Sequence, residues 1–347
     1  MEYRTLGRTG VEVSTFCLGA MMFGSWGNPD EDECVRIIHA ALDAGINFVD
    51  TADVYSEGES EEIVGRALKG RRDEVVLATK VHGEMGPGRN QRGNSRMWIL
   101  QEVEDSLRRL QTDHIDLYQL HRPDPATDIE EQLGTLTDLV RHGKIRYFGC
   151  STFSAWQIAD AHSASDRRGF ERFSTEQPPY SIFVRGIELD VLPVTQRSGM
   201  GVLVWSPLAG GWLAGRYRRD QETPKDSRAV RFAEQGRAVA RRYDMSLPEN
   251  QRKLEVVEEL IDLAEKQEMP LQHLALAFVL EHPGVTSAII GPRTMEQLEG
   301  LLSGADVRLP DEVLDRIDEL VTPGTVVLSA DRGWEPPWMA PEARRRR

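Results

Sequence analysis

The sequence predicts an α/β fold, a (β/α)8 TIM barrel with an N-terminal β-hairpin plug and a long loop after the seventh strand. Three observations carry this. Eight short apolar runs alternate with longer amphipathic segments between residues 16 and 305. Most of the runs are rich in apolar and β-branched residues and bounded by polar or turn residues, as parallel strands buried on both faces must be. The chain has 347 residues, 40% of them hydrophobic, enough to bury a large core without metal or disulfide staples. Parallel strands need crossover segments, which the amphipathic stretches supply. An open doubly wound sheet has the same periodicity and is the alternative.

In chain order, residues 3–13, with RTGV at the turn, read as a hairpin able to plug one end of the barrel. The runs are FCLG (16–19), NFVD (47–50), VVLATK (75–80), IDLYQLH (115–121), IRYFGCS (145–151), RFSTEQ (172–177), GVLVWS (201–206) and SAIIG (287–291). Helices are expected near 31–45, 59–69, 95–110, 129–142, 155–163, 186–198, 251–267 and 294–303, with another near 271–281. In the third of these, Ile99, Val103, Leu107 and Leu110 recur at helical spacing, with Glu102, Glu104, Arg108 and Arg109 between them. Leu254, Val257, Leu260, Ile261 and Leu263 do the same in the seventh. Residues 206–250 form an insert long enough to suggest function. No linker divides the chain, so one domain over 1–347 is expected, with its barrel core at about 16–305 and a C-terminal extension at about 306–347.

Charged residues make up 28% and aromatic residues 7%, which excludes disordered and fibrous classes. The net charge is −14, which argues against nucleic acid or an anionic membrane as the main partner but allows a local basic pocket. The four arginines from Arg344 to Arg347 read as a solvated end. Cys17, Cys34 and Cys150, without a C-x-x-C, fit free thiols in a reducing compartment and no zinc ribbon. MEYRTLGRTG has no apolar core of signal-peptide length, and the most apolar stretch, Leu271 to Leu280, is too short to span a bilayer. A cytoplasmic protein without membrane insertion is the expectation.

Barrel enzymes place their sites at the C-terminal ends of the strands. The second run ends in Asp50, followed by Thr51-Ala52-Asp53-Val54-Tyr55; the third ends in Lys80 and the fourth in His121. An ammonium at the rim of an apolar strand bundle needs a partner, and Asp50 on the neighbouring strand is the natural one. A cation beside Tyr55 favours phenolate over phenol, so the hydroxyl can give a proton to a developing alkoxide. His121 could polarise the carbonyl oxygen or relay the proton, depending on its tautomer. Taken singly, each residue reads as a rim salt bridge, a structural histidine or a loop aromatic. Together on three consecutive strand ends they suit carbonyl reduction.

At these residues the chain resembles the aldo-keto reductases. The resemblance runs from Tyr3 to about Leu320, through NFVDTADVYSEGESEEIVGRAL (47–68), VVLATK (75–80), SRMWILQEVEDSLRRLQTDHIDLYQLHRPD (95–124), KIRYFGCST (144–152), WSPLAGGWLAGRY (205–217) and IIGPRTMEQL (289–298). It implies a barrel that reduces an aldehyde or ketone with NADPH, and a catalytic tetrad of Asp50, Tyr55, Lys80 and His121 with Tyr55 as the general acid. It further implies that Ser151 and Gln177 hold the nicotinamide carboxamide, Trp205 stacks on the ring, and Met21 and Asp50 line the same region. Ser206, Leu208 and Gly210 would face the pyrophosphate, and Arg228 would fold over the cofactor. Gly291, Arg293 and Gln297 complete the expected contacts, Arg293 being placed for a 2′-phosphate at a helix N-terminus. Four departures from the family pattern bear on the cofactor: Thr152 replaces a common Asn, Arg216 a common Lys, and Gly300 and Leu301 an acidic residue and an Asn that touch adenine.

No G-x-G-x-x-G after a strand, P-loop, H-E-x-x-H, G-x-S-x-G or Tyr-x-x-x-Lys occurs. A nicotinamide cofactor would therefore lie extended across the barrel mouth. Two other functions compete with reduction. Some relatives are cofactor-binding, redox-sensing regulatory subunits of membrane channels, close to this chain in blocks 95–124 and 205–217. Lys80 as a Schiff-base amine would need to be neutral, which an adjacent Asp50 opposes. The partner expected is a small-molecule carbonyl, with a homo-oligomer left open. Trp26, Phe23, Trp98, Trp156 and Phe183 are candidates for an apolar pocket, equally readable as packing.

Overall fold

The computed structural model describes residues 1–219, 230, 238–340 and 342–343. It divides into two compact units. The first comprises Met1–Pro178, Asp190–Trp205 and Leu280–Arg308; the second comprises Pro179–Leu189, Ser206–Val279 and Leu309–Arg347.

The first unit opens with an antiparallel hairpin, β1 (Tyr3–Thr5) and β2 (Glu12–Ser14), in the register Tyr3 to Ser14. Eight parallel strands follow: β3 (Phe16–Gly19), β4 (Phe48–Asp50), β5 (Val76–Val81), β6 (Ile115–Leu120), β7 (Ile145–Ser151), β8 (Thr175–Gln177), β9 (Gly201–Val204) and β10 (Ser287–Ile290). β10 pairs with both β9 and β3, so the sheet closes into a barrel and the open-sheet alternative falls.

Alternation along the strands fills the barrel in layers. Leu6 and Val13 of the hairpin pack with Cys17, Phe48, Ala78, Leu117 and Leu203 in one fully buried cluster, with Val11, Val76, Tyr147 and Ile289 against it. The hairpin therefore seals the end where the strands begin. Two residues further along each strand, the inner face changes character: Gly19 pairs with Asp50, Lys80 with Gln119, and Ser151 with Gln177. Gly149 of β7 sits where a Cβ would come within 2.0 Å of Thr175 Oγ1, so only glycine lets β7 and β8 approach this closely.

Helices α1 (Glu31–Asp43), α2 (Glu59–Ala67), α3 (Arg96–Leu110), α4 (Ile129–Arg141), α5 (Ala155–Arg168) and α6 (Val191–Ser198) belong to the first unit. Asp30, Ser95 and Asp128 cap α1, α3 and α4 by accepting backbone N–H bonds, and Ser154 with Gln157 forms a capping box on α5. Further along the chain are α7 (Pro248–Lys266), α8 (Leu271–Glu281), α9 (Met295–Leu302) and α10 (Asp311–Leu320).

Three expectations are corrected. The helix expected at 186–198 is a 3-10 turn at Gly186–Glu188 followed by α6, since the chain breaks at Asp190. α5 runs on to Arg168 and stops at Gly169, which takes a left-handed φ of 66°. α10 lies in what the sequence left as an extension, with Val313 and Ile317 turned inward.

Candidate active site

The upper layer of the barrel gathers the polar residues that the strand ends deliver. Lys80 Nζ, wholly buried, donates to Asp50 Oδ2 at 2.6 Å and to the Thr51 carbonyl at 2.7 Å. Its third direction meets Tyr55 Oη at 3.4 Å, and it lies 4.9 Å from the centre of the Tyr55 ring. Burial works against the ammonium, but Asp50 and then Tyr55 outweigh it and hold the Lys80 pKa above its ordinary value. A lysine so charged does not suit Schiff-base chemistry.

His121 follows β6 and donates its backbone N–H to the Val81 carbonyl. Its ring stands edge-on to Tyr55, with the ring centres 5.6 Å apart. Part of its surface stays open, yet desolvation of the ring, reinforced by Arg122, Lys80 and His82, pushes its pKa well below the usual histidine range. These effects favour the neutral form of the His121 imidazole.

Asp50 has a second oxygen, Oδ1, which accepts from Gln177 Nε2 at 2.9 Å and from Gln119 Nε2 at 3.2 Å. Gln177 Nε2 also reaches Gln119 Oε1 at 3.4 Å, and Ser151 Oγ donates to the Gln177 carbonyl at 2.8 Å. One carboxylate thus ties four strand ends together. Gln119 was missed in the sequence, although alternation pointed to it: it stands two residues beyond the core residue Leu117 and pairs with Lys80.

The remaining expected residues are placed as follows. Met21 is half-buried in the turn after β3. Trp205, just past β9, is half-buried and donates its backbone N–H to Pro178. Gly291 is exposed after β10, and Arg293 is half-buried ahead of α9, whose cap is Thr294. Gln297 Oε1 accepts the Arg293 N–H at 2.8 Å. Leu301 is buried in the core, so the departure from a polar residue there reflects packing.

In the second unit, Ser206, Leu208 and Gly210 lie in a tight loop in which Ser206, Ala209, Gly210 and Gly211 all take left-handed φ. Gly210 is required twice over, by its φ of 70° and because a Cβ would lie 2.4 Å from the Tyr243 hydroxyl, which donates to the Gly210 carbonyl. Arg228 lies outside the described residues. Of the aromatic candidates, Phe23, Trp98 and Phe183 are buried and belong to packing, whereas the Trp26 ring centre stands 6.2 Å from that of Tyr55.

Comparison with known proteins places the chain among its relatives. Residues 15–322 match the aldo/keto reductase family. The chain is 39% identical to the uncharacterized oxidoreductase YrpG of Bacillus subtilis (strain 168), over 92% of this chain and 96% of that protein. It is 38% identical to the aldo-keto reductase YhdN of the same bacterium, over 87% and 88%. A probable voltage-gated potassium channel subunit beta of Arabidopsis thaliana is 36% identical, over 92% and 97%.

Proposed function

This chain belongs to the aldo/keto reductase family, and from that premise we propose that it is an NADPH-dependent oxidoreductase that reduces an aldehyde or ketone to the alcohol. The observation that carries the reading is the buried Lys80 ammonium, clasped by Asp50 and Thr51 and directed at the Tyr55 hydroxyl. The reading takes residues 1–347 as one catalytic domain and its partner as a small-molecule carbonyl.

NADPH, when bound, supplies the hydride. Tyr55 acts as the general acid: its hydroxyl proton passes to the carbonyl oxygen as that oxygen gains negative charge. Lys80 stabilises the phenolate left behind, and Asp50 keeps the lysine charged. The neutral His121 orients the carbonyl oxygen by an N–H bond without adding a second cation beside Lys80. The hydroxyl of Ser151 and the amide of Gln177 are the donor and acceptor set that a carboxamide needs, and they already share the network around Asp50. Trp205 offers a flat apolar face to the nicotinamide ring. Arg293, beside the N-terminus of α9, is suited to a 2′-phosphate, and the loop of Ser206, Leu208 and Gly210 offers backbone groups to a pyrophosphate. Met21, Gly291 and Gln297 supply the remaining contacts, and Arg228 is proposed among them from sequence alone.

Tyr55→Phe keeps the ring and removes the proton. Its NADPH-dependent turnover of a model aldehyde should fall by roughly 10²–10⁴-fold while NADPH binding persists. Turnover at the wild-type rate would remove Tyr55 from its role. A second reading, a redox-sensing regulatory subunit that retains cofactor, is favoured by the likeness to a plant protein named as a channel beta subunit. It requires NADPH to survive gel filtration with the protein, feeble turnover across a carbonyl panel, and stable capture of another chain.

A further inference from the structure

The carboxamide contacts proposed above come from two neighbouring strand ends, β7 and β8, and an acid that the mechanism does not use lies behind both. Glu176 is the middle residue of β8 and is wholly buried. Gln177 points to Asp50 inside the barrel, so alternation turns Glu176 to the outer side of the strand. Its Oε1 accepts the backbone N–H of Phe153 at 3.2 Å, while the Thr152 N–H donates to the Gln177 carbonyl at 3.3 Å and lies near the carboxyl. Its Oε2 has no hydrogen-bond partner among the described residues.

These two N–H groups belong to the turn by which the chain leaves β7 and enters α5. Thr152 takes a φ of 60°, a strained value for a β-branched residue, and holds it only because its surroundings impose it. Ser151 immediately precedes that turn, and its hydroxyl bonds the Gln177 carbonyl. An apolar side chain of similar volume could be buried here without leaving an oxygen unpartnered, so packing does not account for an acid at this place. The carboxyl meets the Cys150 thiol on one side and accepts the Phe153 N–H of the strained turn on the other.

We propose that Glu176 is a positioning residue whose buried carboxyl holds the Thr152–Phe153 turn and thereby sets how Ser151 and Gln177 meet the nicotinamide carboxamide. This rests on the cofactor reading given above. The groups facing Glu176 are the Cys150 thiol, its register partner on β7, the two turn N–H groups, and Arg122 beyond β6. Burial pushes the carboxyl up to about 8. The protonated form is thereby favoured near pH 7, and ionisation places there a charge offset only by Arg122, the Cys150 thiol and the turn N–H groups.

The test compares full-length wild type, Glu176→Gln and Glu176→Leu, by titration with NADPH from pH 6.5 to 9.5 and by amide exchange at Thr152 and Phe153, the pH range chosen to bracket the carboxyl. The Leu variant should raise the Kd for NADPH about tenfold and speed exchange of both amides, whereas Gln, which keeps an acceptor, should stay within about threefold. Wild-type affinity should fall above about pH 8, and the Gln variant should lose that fall. If Leu does not fold, the Gln pH profile decides. A Leu variant with wild-type Kd, or an alkaline fall that survives in Gln, overturns the proposal. A wild type that binds no NADPH at any pH overturns the cofactor reading instead, and the exchange rates alone then decide whether Glu176 holds the turn.

Discussion

The two faces of β5 bury charge in opposite ways. On the inner face, Lys80 is matched by Asp50, and every donor of the ammonium has an oxygen to meet. On the outer face, between the barrel and helices α2 and α3, three carboxyl groups are buried, Asp53, Glu61 and Glu102, and one cation, Arg109, bridges two of them. Thr79, the neighbour of Lys80, turns outward and donates to Glu61 at 2.6 Å, and the buried Tyr118 hydroxyl makes no hydrogen bond among the described residues. The consequences for proton occupancy differ. Lys80 is held charged, whereas burial, reinforced by Glu61 and Glu102, pushes Asp53 well above the usual carboxylate range. Burial also pushes Glu102 up to about 7, against the pull of Arg109. A matched pair keeps its charges; an excess of acids sheds them by taking up protons.

The largest effect should come from breaking the matched pair. Lys80→Met leaves Asp50 buried without its cation, and the variant should lose about 3–5 kcal/mol of stability by urea unfolding. It should also lose at least about 10²-fold in kcat/KM for a carbonyl substrate. Near-normal stability would mean that the buried pair contributes little to the fold. Next is Arg109→Met, which removes the cation shared by Glu61 and Glu102. A loss of about 3 kcal/mol is expected, with kcat little changed, because the outer cluster does not reach the reacting atoms. An equal loss of turnover would show that the two faces are coupled through β5.

The smallest effect is a pH slope. The folded-state pKa of Glu102, about 7, lies above its ordinary value of 4.5. Protonated Glu102 therefore favours the folded state fully below about pH 4.5, and that contribution is lost as the pH rises toward 7 and is flat beyond. The span corresponds to about 3 kcal/mol. Glu102→Gln should remove this slope, measured as unfolding free energy at pH 5 and pH 8. A slope that persists in the variant would assign the proton to Asp53.

The inner face was the more legible of the two in the sequence. Asp50, Tyr55, Lys80 and His121 stand at the ends of apolar runs, and a barrel brings strand ends together whatever the details of its helices. The barrel strands were readable because strands buried on both faces are mostly apolar, and the hairpin because of its RTGV turn. The outer cluster was not readable. Glu102 and Arg109 sit among Ile99, Val103 and Leu107 at spacings that suggest a solvated helix face, and only the approach of Glu61 from α2 turns them into buried partners. Glu176 was hidden inside RFSTEQ, the least apolar run, where its burial depends on how β7 turns into α5. Phe23, Trp98 and Phe183 were ambiguous because an aromatic residue is equally at home in a pocket wall and in a core. Side chains whose setting depends on one neighbouring strand could be placed; those that depend on the meeting of two helices or on one strained turn could not.

The hairpin that packs Leu6 and Val13 under the first layer of strand residues makes the barrel a blind alley. Any molecule that reaches the neighbourhood of Lys80 must arrive and depart by the rim where the strands finish. Of two guests stacked in such a passage, the inner one waits for the outer one to go.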